Sequence, residues 1–175
     1  MDKKGAEKIL AVYWFTILIL VAGGIFAMVY TFYHYPYDVR EMEANIMINN
    51  LADCLSKNGK IESYVIFQDG TFNEPFKIDF LNQCHFNFDN GERYERDQYY
   101  LQADFYKFED LENPLASISG GNQNWIADCK LEKDEENYEK TAQCLERRFY
   151  SLGQNGNQYL IKILAIVGKT KENVK

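Results

Sequence analysis

The sequence predicts an α+β protein in which an N-terminal transmembrane helix continues into an amphipathic helix packed on an antiparallel sheet. Three observations predict it. An uncharged apolar run fills Ile9 to Tyr33. Apolar residues then recur at three- and four-residue spacing after Asp38. The C-terminal half carries aromatic and branched runs parted by Gly, Asn and Asp turns.

The 25 residues of Ile9–Tyr33 make about 37 Å of helix, enough to cross a hydrocarbon core of about 30 Å. This run is longer than the apolar core of a secretory signal, and no small-residue cleavage site follows Tyr33. A retained anchor is therefore expected, rather than a cleaved signal or a buried core helix. Lys3, Lys4 and Lys8 crowd the N-terminal flank, while no Lys or Arg stands from His34 to Asp38. That asymmetry puts residues 1–8 in the cytoplasm as a basic leader, and residues 34–168 outside the cell membrane as one extracytoplasmic domain. Tyr30, Tyr33, Tyr35 and Tyr37 suit headgroup depth at the exit. Gly23 and Ala27 form a small-xxx-small pair that lets another helix approach closely. The lipid bilayer is thus the first partner the sequence implies.

Asp38-Val39-Arg40-Glu41 reads as a capping box that opens the amphipathic helix. Val39, Met42, Ile46, Leu51, Cys54 and Leu55 are expected on its buried face, with Arg40, Glu41, Asn45 and Asn49 opposite. Asn58-Gly59 is expected to end it, and Pro36 sets a kink or break between it and the anchor. Next come an apolar run at Tyr64–Phe67, a turn at Asp69-Gly70, a short helix over Phe76–Cys84 and a turn at Asp89-Asn90-Gly91. Strands are expected over Tyr99–Phe108, Cys144–Leu152 and Tyr159–Val167, the last two joined by a hairpin loop at Gly153–Asn157. Ile161–Val167 is almost continuously apolar but too short to cross a bilayer, as suits a central, buried strand. The sheet should hold about three to five strands, and residues 169–175 form a solvated tail.

A chain of 175 residues has room for the anchor and one domain of about 140 residues with its own core. Thirteen Tyr and twelve Phe argue against disorder. The net charge is −7, and because the first eight residues carry +1, the remainder is more acidic still. Such a surface repels phosphates and anionic headgroups, which excludes nucleic acid as a partner.

All four cysteines, Cys54, Cys84, Cys129 and Cys144, lie on the side of the anchor where oxidation is permitted. Four cysteines allow three pairings. The favoured one joins Cys54 to Cys84 and Cys129 to Cys144, the second closing a charged loop that contains Glu132-Lys133-Asp134-Glu135-Glu136. A metal site is the alternative, but there is no Cys-x-x-Cys spacing and the only histidines are His34 and His85. No activated nucleophile stands out, since Cys84, the neighbour of His85, is expected to be oxidised. Asp89, Asn90 and Glu92 lack EF-hand spacing. Ser119-Gly120-Gly121-Asn122 lacks the ending of a phosphate-binding loop and reads as a plain loop. Neither an enzyme nor a cofactor or metal is expected.

Lys3-Lys4-Gly5-Ala6-Glu7, followed directly by the apolar run, resembles the class III signal peptides of type IV pilins and archaellins. The resemblance implies a cut between Gly5 and Ala6 on the cytoplasmic side. The layout beyond it is also pilin-like, and the basic leader with its Lys-Ile-Leu-Ala-Val-Tyr-Trp-Phe start resembles small uncharacterised single-pass membrane proteins of archaea. The fifth position after that cut is Leu10, where bacterial pilins usually carry glutamate. Two functions are expected from this: an extracytoplasmic pilin-like structural subunit that assembles with itself or similar subunits through its N-terminal helix, or a monomeric anchored binding or accessory domain of a cell-envelope complex.

Overall fold

The computed structural model describes residues 3–34, 38–88, 98–131, 142–170 and 173. The chain divides into two units, Met1–Tyr37 and Asp38–Lys175.

The first unit is a single helix, α1 (Lys3–His34). Its stretch Val12–Tyr33 is long and apolar enough to cross a membrane, and none of it is buried within the chain. Both threonines of this stretch satisfy themselves one turn back: Thr16 Oγ1 donates to the Val12 carbonyl at 2.9 Å and Thr31 Oγ1 to that of Ala27 at 2.7 Å. Neither threonine hydroxyl therefore leaves its proton unpaired on the apolar surface of the helix.

The second unit is mixed α and β. In chain order it contains α2 (Arg40–Leu55), β1 (Ser56–Lys57), β2 (Lys60–Ile61), α3 (Glu74–Gln83), β3 (Tyr99–Lys107), β4 (Ala116–Gly121), α4 (Trp125–Leu131), β5 (Ala142–Leu152) and β6 (Gln158–Gly168). Six strands form one sheet in the order β1-β2-β5-β6-β3-β4. All pairs are antiparallel except β2–β5, which meet in parallel at Lys60 and Leu152. β6, the apolar run, takes the centre. On one face, Phe105, Ile161 and Phe149 align across β3, β6 and β5, as do Leu101, Ala165 and Leu145.

The main core lies on that face. Ala44, Met47, Ile48, Leu51 and Leu55 of α2, with Phe76 and Phe80 of α3, share one buried cluster with Leu101, Phe105, Ile118, Ile161 and Ile163. Rings fill it further, with Phe72 edge-on to Phe105 at 5.0 Å, an arrangement worth a little beyond its buried area. Across the sheet, α4 covers a smaller cluster of Tyr100, Ala142 and Ile166.

Several expectations change. The buried stripe of α2 is rotated from the one expected: Met42 and Ile46 are about half exposed, while Arg40, assigned to the outside, is 4% exposed. The periodicity admits both stripes, and the burial of Arg40 becomes possible because Asp38 grips its guanidinium at 2.7 Å. Helix α2 begins after Val39, whose side chain makes no cap. Asp38 Oδ1 instead accepts the Arg40 backbone N–H at 3.0 Å, so half of the capping box is present.

Asn58-Gly59 does not close α2, which ends at Leu55. Its positive φ values of 53° and 76° form the two-residue turn between β1 and β2, as Asn-Gly does when strands flank it. Ser119-Gly120-Gly121, read as loop, belongs to edge strand β4, where an ideal Cβ on Gly120 would press on Leu81 of α3. β1, β2 and α4 were also unexpected. Asn173, placed in the solvated tail, is 3% exposed. The Pro36 break, the Asp89-Asn90-Gly91 turn and the Glu132–Glu136 run lie outside the described residues, and so does the junction between α1 and α2.

Candidate functional site

Three features bear on function: the surface of α1, the disulfides, and the polar groups at the start of α2. Apart from the half-buried Ile17, the large apolar side chains of α1 from Val12 to Tyr33 stand open, from Val29 at 48% to Tyr33 at 85% exposed. Phe26 stacks on Tyr30 at 6.2 Å. Among the described residues, and beyond the neighbouring backbone of the helix itself, nothing comes within 4 Å of where a Cβ on Gly23 would sit, so their packing does not demand a small residue there. Gly5 and Ala6 lie within the backbone span of α1, in the part of that helix whose side-chain surroundings are outside the description.

Cys54 is bonded to Cys84 and Cys129 to Cys144, across 30 and 15 residues of sequence, and no cysteine is free. The first bond ties the last turn of α2 to the end of α3, on the core face. The second ties α4 to β5, so each face of the sheet carries one staple. Beside the first lies a shallow concavity lined by Asn50, Asp53, Tyr64, Gln83, His85 and Phe86. Tyr64 closes one wall, its hydroxyl donating to the Cys54 carbonyl at 2.6 Å, and burial pushes its pKa up. Cys84 supplies no thiol here, so His85 has no nucleophile beside it to activate. Among the described residues no cluster of three or more His, Cys, Asp and Glu is placed to hold a metal.

The sheet face beneath α4 continues into polar rows. Tyr100 donates to Gln102, Gln102 to Asp104, and Ser117 also to Asp104, at 2.6 to 3.0 Å. Burial works to raise the pKa of Glu146, but hydrogen bonds from Arg148 and Lys162 outweigh it and hold the carboxyl below its usual range. These groups satisfy one another in a partly exposed ladder, which suits a solvated sheet face rather than acid–base chemistry. Farther along β5, Tyr150 and Phe108 meet at 6.1 Å and are more than half exposed.

Sequence reasoning missed the polar cluster at the start of α2. Asp38, Arg40 and Glu43 stand there with Gln98 and Asn173, and three of these five, Arg40, Gln98 and Asn173, are buried. The Arg40 side chain holds Asp38 below the ordinary aspartate range. Partial burial, against hydrogen bonds from Asn173 and Gln98, raises the pKa of Glu43. No helical spacing signals it, since Arg40 and Glu43 follow Asp38 by two and five residues rather than by a turn.

Compared with protein-family models, with curated proteins and with solved structures, the chain finds no match in any of the three.

Proposed function

We propose that the chain is a single-pass membrane protein, with α1 spanning the bilayer, residues 1–8 in the cytoplasm and the disulfide-stapled domain outside, serving as a pilin-like structural subunit that assembles through α1. The open apolar surface of α1 carries this reading. Each large side chain left in water along Val12–Tyr33 forgoes about 1.5 to 3 kcal/mol of burial, a cost that a bilayer or a bundle of like helices removes. Lys3, Lys4 and Lys8 favour the cytoplasmic side for the leader. Two disulfides suit the oxidising side for the domain. Gly23, which the described residues do not need to be small, and Ala27 four residues on favour close approach of a second helix.

The N-terminal sequence of the mature protein from its native membrane tests the reading. The expected first residue is Ala6, with Gly5→Phe keeping the leader and abolishing assembly. An intact Met1, or a Gly5→Phe protein that still assembles, overturns the pilin-like part. Leu10 at the fifth position after the cut, in place of glutamate, favours a second reading, a monomeric anchored binding or accessory domain. That domain keeps its membrane location and its monomeric state whatever residue stands at position 5.

A further inference from the structure

The sheet is covered unevenly. Helices α2 and α3 lie over its inner face, but on the outer face α4 covers only the end that holds Tyr100, Ala142 and Ile166. The other end of the outer face is apolar, and no described helix lies over it. Tyr106, Leu160 and Tyr150 stand in one row across β3, β6 and β5, and Phe108 and Leu152 continue it two residues farther along their chains. Phe108 is 54%, Tyr150 59% and Leu152 40% exposed. On the opposite side of the domain, α2 turns a second stripe outward. Met42, Ile46, Asn49 and Asp53 recur at intervals of four, three and four residues, which puts them on one face of the helix, and all of them are exposed. Within one chain the two surfaces cannot meet, because the sheet lies between them.

We propose that the open stripe of α2 in one copy of the chain docks on the uncovered end of the outer sheet face in the next copy. The contact deepens the pilin-like reading and rests on it for bringing copies side by side.

Shape and charge both favour a copy of this chain as the occupant. A sheet with apolar groups on both faces is stable when both are covered, and a neighbour's α2 supplies the missing part of the outer layer beside α4. Three strands span about 10 Å, close to the diameter of a helix. The α2 stripe is acidic on balance, since Glu41, Glu43 and Asp53 stand along it against Arg147, which donates to Asn45. Next to Tyr150, the side chain of Arg148 is 61% exposed. Arg148 and Lys162 share the single carboxylate of Glu146, while Asp104, toward β3, is hydrogen-bonded by Gln102 and Ser117. Copies of an acidic domain repel one another on average, but here an acidic ridge meets a surplus cation. Because the two surfaces differ and face opposite ways, the contact repeats from copy to copy instead of closing a two-fold pair.

Bismaleimide cross-linking of the full chain in its native membrane tests the contact. The native cysteines are all in disulfides, so an added cysteine is the sole reactive thiol. A chain carrying Ile46→Cys and a chain carrying Tyr150→Cys, produced together, are expected to link residue 46 of one copy to residue 150 of another, and neither variant alone should link to itself. Adding Arg148→Glu to the Tyr150→Cys chain should slow the linkage several-fold, and adding Glu41→Lys and Asp53→Lys to the Ile46→Cys chain should restore it. A Tyr150→Cys chain that links to itself marks a two-fold pairing of sheet faces and overturns the proposal. So does the absence of a 46–150 link, whether Tyr150→Cys is then open to a soluble maleimide or shielded by lipid or another protein. The first residue of the same samples is sequenced in parallel. A mature Ala6 without the link overturns the docking contact alone, and an intact Met1 with the link overturns leader cleavage alone.

Discussion

Removing the Cys54–Cys84 bond gives the most quantitative test of what holds the domain together. The perturbation is the double variant Cys54→Ala/Cys84→Ala, compared with Cys129→Ala/Cys144→Ala. In the chain-entropy account, closing a loop costs the unfolded chain about 2.1 + 1.5R ln n cal/mol/K. With a separation of 30 residues this gives about 3.6 kcal/mol at 25 °C, and with 15 residues about 3.0 kcal/mol. Cys84 is also buried in the main core cluster, so its truncation adds a small packing loss that the second pair lacks. For a domain of this size the first variant should lose about 10 to 15 °C in Tm. Together the two bonds amount to a large share of the roughly 5 to 15 kcal/mol that a domain has in all. Urea unfolding of the full chain at fixed detergent, followed by tyrosine and tryptophan fluorescence, measures both losses. A first-pair loss below about 1 kcal/mol, or a second-pair loss clearly larger than the first, refutes the loop-entropy reasoning.

Three further outcomes are checked by the same unfolding assay. Met42→Ser and Ile46→Ser, both on the open side of α2, should each shift stability by less than about 0.5 kcal/mol, whereas Leu51→Ala in the core should cost about 2 to 5 kcal/mol. Gly121→Ala should cost at least about 2 kcal/mol, because Gly121 has φ +92° and a Cβ there would strike the Tyr99 carbonyl oxygen. Asp38, held below its usual range by the Arg40 side chain, contributes stability that is present above the ordinary aspartate pKa and lost as pH falls through its lowered value. Asp38→Asn should therefore flatten that part of the acid limb in a pH titration of Tm. Because Asp38 is substantially exposed, the effect at neutral pH should stay below about 1 kcal/mol.

The long elements were legible because each has a strong local signature. The 25 uncharged residues within α1, the apolar run of β6 and the Gly153–Asn157 loop require little tertiary context; β6 extends one residue beyond the expected strand at each end, whereas α1 starts at Lys3, six residues before the apolar run. What escaped depends on context. Asn58-Gly59 ends a helix or turns a hairpin depending on whether its flanking residues pair as strands, and Ser56 and Lys60 give no strand signal of their own. β4 is made of Ala, Ser, Ile and Gly, and its strand geometry comes from pairing with β3 and from the close approach of Leu81 to Gly120. The face of α2 turned inward is the one whose Ala44, Met47, Ile48, Leu51 and Leu55 share the core cluster with α3 and the sheet, and Arg40 on that face has its guanidinium paired with Asp38 from outside the helix. The start of α2 was unreadable for the same reason, since Glu43, Gln98 and Asn173 meet only after the sheet has formed.

The place of β6 orders events in time. It is the last strand in the sequence and the central one in space, with β5 on one side and β3 on the other. While the chain is still emerging from the ribosome, β3 and β4 can already form their hairpin, but β5 has no long neighbour to pair with until residues 158–168 are free. The loop from Cys54 to Cys84 can close well before that, whereas the sheet that buries Phe76 and Phe105 cannot. Cooperative folding thus waits for nearly the whole chain, and non-local pairing of this kind is slow. A chain cut short before Gln158 would keep the sequences of its helices and all four cysteines yet have no centre around which to organise them, leaving Leu51, Phe76 and Phe105 without the strand that covers them.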